Sequence, residues 1–174
     1  MTEKLVKEYY AGCVRKEWRR LVKDAYHGLE LATTLHFLEK HLPRAGLILD
    51  AGGGPGRYTI ELANRGYEVV LLDLTPGNLN FARRQIKKAK VQEQVKAVVE
   101  GSIVDLARYA DATFDAVVCL GGPLSHVLDQ RARDKAIAEM IRVAKRGAPI
   151  LVSVMGRLSL LVVELTMFPF EIEL

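Results

Sequence analysis

The period of the apolar residues changes near Pro43. Before it, Leu31, Leu35, Leu38 and Leu42 recur at i, i+4, i+7 and i+11, the spacing of one helix face, and Pro43 stops the run. Trp18, Leu21 and Val22 predict an earlier helix. After Pro43, short apolar runs alternate with helical stretches. Strands are predicted at Leu47–Ala51, Glu68–Asp73, Lys96–Glu100, Asp115–Leu120 and Pro149–Val154, and helices at Arg57–Asn64, Pro76–Lys90 and Arg131–Lys145. Thr75-Pro76 reads as the N-cap and first position of the second of these helices. Ile137, Met140, Ile141 and Ala144 read as the buried face of the third, with Gly147 as its C-terminal cap. Repeated strand and helix units predict an α/β fold. The sheet is Rossmann-like and doubly wound, with about five mainly parallel strands and helices on both faces, behind an N-terminal helical extension. A ligand is expected at the carboxyl ends of the strands.

Composition narrows the class. At 174 residues the chain suits one globular unit, taken as residues 44–174, with residues 1–43 as a helical extension or lid. With 49% hydrophobic and 26% charged residues it is far from the composition of a disordered chain. The 25 basic residues are nearly balanced by 21 acidic ones, so charge supplies no argument for a nucleic-acid partner. The densest basic run, Arg83, Arg84, Lys87, Lys88 and Lys90, is interleaved with Phe81, Ala82, Ile86 and Ala89 and reads as the solvated face of a helix. Cys13 and Cys119 have no ligand-type spacing, so no disulfide framework and no metal are expected. Charges in Met1–Glu8 argue against a secretory signal, and the longest apolar stretch, Leu158–Phe170, is interrupted by Glu164. A cytoplasmic protein without a membrane partner is expected.

The chemistry centres on Leu47-Ile48-Leu49-Asp50-Ala51-Gly52-Gly53-Gly54-Pro55-Gly56, an apolar strand that ends in an acid and turns through glycines into a helix. A phosphate loop would need Gly-Lys-Ser/Thr, whereas Gly56 is followed by Arg57-Tyr58. The dinucleotide fingerprint Gly-x-Gly-x-x-Gly fits poorly, because it places Arg57 or Thr59 at its third glycine. What remains is Asp-x-Gly-x-Gly-x-Gly, matched by Asp50, Gly52, Gly54 and Gly56. At these residues the chain resembles the class I S-adenosylmethionine-dependent methyltransferases, in their small-molecule, type 11-like form. Val69-Val70-Leu71-Leu72-Asp73 is similar to the family's second strand, Gly101-Ser102-Ile103-Val104-Asp105-Leu106 to its adenine-contacting segment, and Thr113 to Leu120 to its fourth strand. Arg142 to Pro149 is similar to its helix-to-fifth-strand turn, so the resemblance runs from Leu47 to about Val154.

The resemblance implies S-adenosyl-L-methionine as cofactor and in-line methyl transfer to a small-molecule acceptor. It implies that Gly52 and Gly54 line the methionine end, that Gly56 belongs to the same cofactor-binding turn, that Asp50 orients the ammonium directly or through water, and that Asp73, with Leu74 beside it, binds the ribose hydroxyls. Ser102 and Ile103 would meet the adenine, and Leu120 would border the methyl-transfer point. His126 is a candidate general base and fits a helix-start position equally well. Tyr9 and Tyr10 would close a lid or anchor a helix. Gly121-Gly122-Pro123-Leu124 replaces the Asn/Asp-Pro-Pro-Tyr/Phe of adenine-N6 methyltransferases and argues against that type. Only Met155 to Leu174 follow the fifth strand, so the last two strands of the full family fold are expected to be absent. Leu160, Leu161, Val162 and Val163 would then lack cover, and homo-oligomeric self-association is expected there. Two alternatives stay open: a cofactor-binding module or inactive shortened relative, and an NAD-dependent oxidoreductase.

Overall fold

The computed structural model describes residues 3–156 and residue 158. Two helices lead, α1 (Glu3–Arg20) and α2 (Ala25–His41), and strand and helix then alternate: β1 (Leu47–Ala51), α3 (Arg57–Asn64), β2 (Glu68–Asp73), α4 (Pro76–Ala89), β3 (Val95–Glu100), β4 (Ala116–Cys119), α5 (Gln130–Val143) and β5 (Ile150–Val152). A 3-10 turn, Pro123–His126, follows β4. The strands form one parallel sheet in the order β3-β2-β1-β4-β5. The order reverses between β1 and β4, and at such a switch point the loops leave the sheet in opposite directions and open a crevice.

The period-2 alternation of the strands sorts the core. Ile48, Val69, Leu71, Ala116 and Val118 face α2, α3 and α4. Leu49, Val70, Leu72, Val117 and Cys119 face α5 and the chain after β3. Each strand is therefore apolar on both sides, as buried parallel strands must be. In α4 the stripe falls as expected: Ala82 and Ile86 are buried, whereas Arg83, Arg84, Lys87 and Lys88 are exposed.

The structure corrects the reading of α5. Its buried residues are Ala136, Met140 and Val143, while Ile137 is 40% and Ile141 60% exposed. The helix also ends at Val143 rather than Lys145, because Phe114 pairs with Ala144 as a parallel bridge and Lys145 N–H donates to the Phe114 carbonyl at 2.9 Å. Gly147, with φ of 78°, serves the turn after that bridge instead of capping the helix. Thr75 and Pro76 do occupy the N-cap and first position of α4, yet the Thr75 side chain makes no capping bond. Asp24 caps α2, accepting from His27 N–H at 2.9 Å.

Leu160–Val163, on which self-association was expected, lie outside the described residues. Among the described residues no helix is long and apolar enough to cross a membrane, and no cluster of ligating side chains could hold a metal.

Candidate functional site

A cavity of about 360 Å³ lies at the carboxyl ends of β1, β2 and β4, beneath α1. That volume is within the ordinary range for small-molecule and cofactor sites. Its floor is the glycine turn after β1. Gly52 and Gly53 N–H both donate to the Leu72 carbonyl, at 2.7 and 3.2 Å, which fastens the turn to β2. Gly52 has φ of +80°, and a Cβ there would stand 2.6 Å from Pro123 Cγ. Gly52→Ala is expected to cost about 1–2 kcal/mol in backbone strain alone, and urea denaturation with an unshifted midpoint would contradict this tight approach.

Asp73 ends β2 on the cavity wall, 8% exposed. Its Oδ2 accepts from Gly54 N–H at 2.9 Å, and its Oδ1 accepts from Thr75 N–H at 2.8 Å and Asn78 Nδ2 at 3.1 Å. Burial raises its pKa, and these three hydrogen bonds oppose the rise. Asp50 is placed differently. It is fully buried beneath the turn, its Oδ2 accepting from Thr59 Oγ1 at 2.6 Å and its Oδ1 without a partner. Burial lifts its carboxyl to about 6, and the negative Asp73 nearby adds to the rise.

α1 forms the roof, through Glu3, Val6, Tyr10 and Glu17 on one helical face. No α1 residue is fully buried, so the helix is held by discrete ties. Lys7 pairs with Glu100, Ser102 Oγ donates to Glu3, and Arg57 stacks 3.8 Å over the Trp18 ring while donating to the Trp18 carbonyl at 2.6 Å. Across the cavity, Tyr10 Oη and His126 Nε2 are 2.7 Å apart. Arg20 Nη1 binds both oxygens of Glu30, at 2.9 and 2.8 Å, and its Nε lies 3.4 Å from Glu17.

Comparison with known proteins bears on this arrangement directly. The sequence model of the family described as "Methyltransferase domain" matches residues 48–147, more than half of the chain. The chain belongs to the class I S-adenosylmethionine-dependent methyltransferases. Relatives include a glycine/sarcosine N-methyltransferase of Parasynechococcus marenigrum, 31% identical over 75% of this chain and 45% of the relative. A ubiquinone biosynthesis O-methyltransferase of Xanthomonas oryzae is 32% identical over 71% of this chain and 49% of its own length. The chain thus spans about half the length of these curated relatives. Among solved structures, a S-adenosylmethionine-dependent methyltransferase of Methanosarcina mazei superposes with a TM-score of 0.60 at 28% identity, covering 67% of this chain and 55% of that one.

Of the residues that the methyltransferase resemblance singled out, the fold brings Gly52, Gly54, Asp73, Leu74, Ser102, Ile103, Leu120, Tyr10 and His126 to the cavity wall. Three stand elsewhere. Asp50 is under the loop, and Gly56 packs on α4, where a Cβ would lie 3.1 Å from Ala82 Cβ. Tyr9 points to solvent, 56% exposed. The structure adds Glu17, Arg20 and Asn78 to the wall. Glu17 and Arg20 carried no motif, because a polar face that covers a cavity has the same helical period as one that meets water. Asn78 could have been suspected from its place in the first turn of the helix that follows Asp73.

Proposed function

We propose that this methyltransferase-family chain binds S-adenosylmethionine in the cavity and moves its methyl group to a small-molecule acceptor. The observation that carries the reading is the convergence at one cavity of the bare glycine backbone, the Asp73 carboxylate and the Ser102-Ile103 segment, with Leu120 and His126 at the β4 end. The donor set suits the cofactor. Asp73 uses about three of the four acceptor positions of a carboxylate, so Oδ2 retains one for a ribose hydroxyl. Ile103, 7% exposed, offers an apolar surface to the adenine, and Ser102 exchanges its bond to Glu3 for a polar edge of the base. Gly52 and Gly54 let the methionine portion approach the backbone. Asp50 adds negative charge beneath the loop instead of direct contact.

The bound cofactor supplies a methyl group made electrophilic by a sulfonium, and this chain supplies position and exclusion of water. The glycine turn and Asp73 hold the cofactor from below and one end. α1 closes the roof, so an acceptor must be seated between Tyr10, Leu120 and His126. The named activities of the two curated relatives, on glycine or sarcosine and in ubiquinone biosynthesis, support a small acceptor over a macromolecule.

Isothermal titration with S-adenosylhomocysteine, the demethylated cofactor, and with NAD checks the assignment. Saturable heat is expected from the first and none from the second. Heat from NAD alone would replace this reading with the oxidoreductase one, and heat from neither would remove it.

A further inference from the structure

Tyr10 and His126 lie 116 residues apart and meet at the β4 end of the cavity, Oη to Nε2 2.7 Å, with their rings edge to face at 5.4 Å. The contact closes α1 onto the turn after β4. It also places an exchangeable proton between two polar groups on the wall where the acceptor must sit. Glu17 follows Tyr10 by two turns of α1 and lines the same wall. Its cationic neighbour Arg20 is only 3.4 Å away at Nε, and that guanidinium is already bound through Nη1 by both oxygens of Glu30. Arg20 is thus shared between two carboxylates, while Arg57, the other guanidinium of the cavity lining, is engaged with the Trp18 ring and carbonyl instead of with Glu17. The Glu17 carboxylate therefore retains capacity to receive a donor from the cavity.

We propose that Tyr10, Glu17 and His126 form the acceptor subsite and select a primary or secondary amine, Glu17 receiving its ammonium form and the Tyr10–His126 pair removing its proton. This rests on the cofactor reading above. At this wall a carboxylate, phosphate or phenolate acceptor would meet the like charge of Glu17. An amine reaches the site mostly as ammonium and must lose one proton before its nitrogen can act as a nucleophile. In the Nδ1–H tautomer of His126 the Tyr10 hydroxyl donates to Nε2, leaving the Oη lone pairs toward the cavity. The ammonium gives a proton to Tyr10 Oη as Tyr10 gives its own to Nε2, so tyrosine ends neutral and the imidazole becomes imidazolium. The freed amine nitrogen then bonds to the methyl carbon while the carbon–sulfur bond breaks and its electron pair returns to sulfur. The methylated product carries the positive charge formerly on the sulfonium, and the imidazolium proton leaves to solvent.

The charges around the pair agree with this direction. Burial holds His126 below its ordinary 6.5, with Glu17 opposing, so the imidazole is neutral at pH 7 and free to accept. Burial, Glu17, Tyr9 and Asp73 push the Tyr10 hydroxyl up to about 12 against Arg20, so it stays protonated.

The test uses the whole chain, radiolabelled S-adenosylmethionine and a matched panel: ethanolamine, N-methylethanolamine and benzylamine against glycolate, catechol and phosphate monoesters. Label is expected in at least one amine and in none of the others. Glu17→Gln is expected to raise KM for that amine at least tenfold with little change in kcat. Tyr10→Phe and His126→Asn are expected to lower kcat and to remove the acid limb expected of wild type, which burial of His126 sets below the ordinary histidine range. Titration calorimetry should give all three variants an S-adenosylhomocysteine affinity within about threefold of wild type, a change of under 1 kcal/mol. Label in the hydroxyl or phosphate acceptors, or in no amine while S-adenosylhomocysteine still binds, overturns the amine subsite and leaves the cofactor reading standing. A wild-type chain that does not bind S-adenosylhomocysteine fails at the earlier step. Variants whose acid limb matches wild type show that the pair only latches α1.

Discussion

Asp73→Ala is expected to weaken S-adenosylhomocysteine binding by roughly 10- to 150-fold, the equivalent of losing about 1.5 to 3 kcal/mol of charge-assisted hydrogen bonding to the ribose. The structure shows that the same carboxylate organises its own surroundings. Gly54 N–H, Thr75 N–H and Asn78 Nδ2 all donate to it, and alanine would leave them without their acceptor in a buried place. A lower melting temperature should accompany the lost affinity, so binding must be measured well below it. Asp73→Asn separates the two effects. The amide keeps one acceptor oxygen for the Thr75 and Asn78 donors but turns an NH₂ toward Gly54 and the cavity, where an acceptor is needed. It should fold better than the alanine variant and bind almost as poorly. Wild-type affinity in both variants would remove Asp73 from the cofactor site.

A second large effect is expected at Asp50, in stability rather than binding. The carboxyl is fully buried, and its pKa near 6 stands above the unfolded value of about 3.9. Between these two values the native state holds more protons than the unfolded one, so stability falls as pH rises through the window. The displacement amounts to about 2 kcal/mol lost between pH 4 and pH 7. Asp50→Asn has no proton to lose there, and its urea-denaturation free energies should lack this component of the pH slope. Glu139, which Arg142 holds down to about 2, contributes in the opposite direction and only below its unfolded range, so it does not mask the effect. Parallel stability curves for the two proteins from pH 4 to 7 would show that Asp50 is not protonated in this window. A buried acid with an unpartnered Oδ1 is a cost to the fold. It lies so close under the glycine turn that a Cβ on Gly53 would stand 2.4 Å from Oδ2, so the turn tolerates only glycine there.

The parts of this protein written most clearly in the sequence are those set by local pattern. β1, β2 and α3 begin and end where the periodicity and the flanking glycines and acids place them. Errors gather where a distant contact overrides the local preference. Lys145 is a good helix residue, yet the bridge from Phe114 to Ala144 ends α5 before it. Ile137 and Ile141 belong to the apolar stripe by spacing, but the sheet's edge at β5 offers them no covering surface among the described residues.

By itself the sequence determined the order of elements, the glycine turn and the two acids near the ends of β1 and β2, because these depend on residues close together in the chain. That was enough to reach the family and its cofactor. Only the tertiary structure decided that Asp73 faces the cavity while Asp50 lies under its floor, although both are acids near the ends of apolar strands. Only it decided that Tyr10, and not Tyr9, meets His126, and that Glu17 lines the same wall. The reason is geometric: which side of a strand end or helix meets the cavity is fixed by how α1 lies across the sheet, and those ties join residues far apart in sequence, such as Lys7 with Glu100 and Tyr10 with His126.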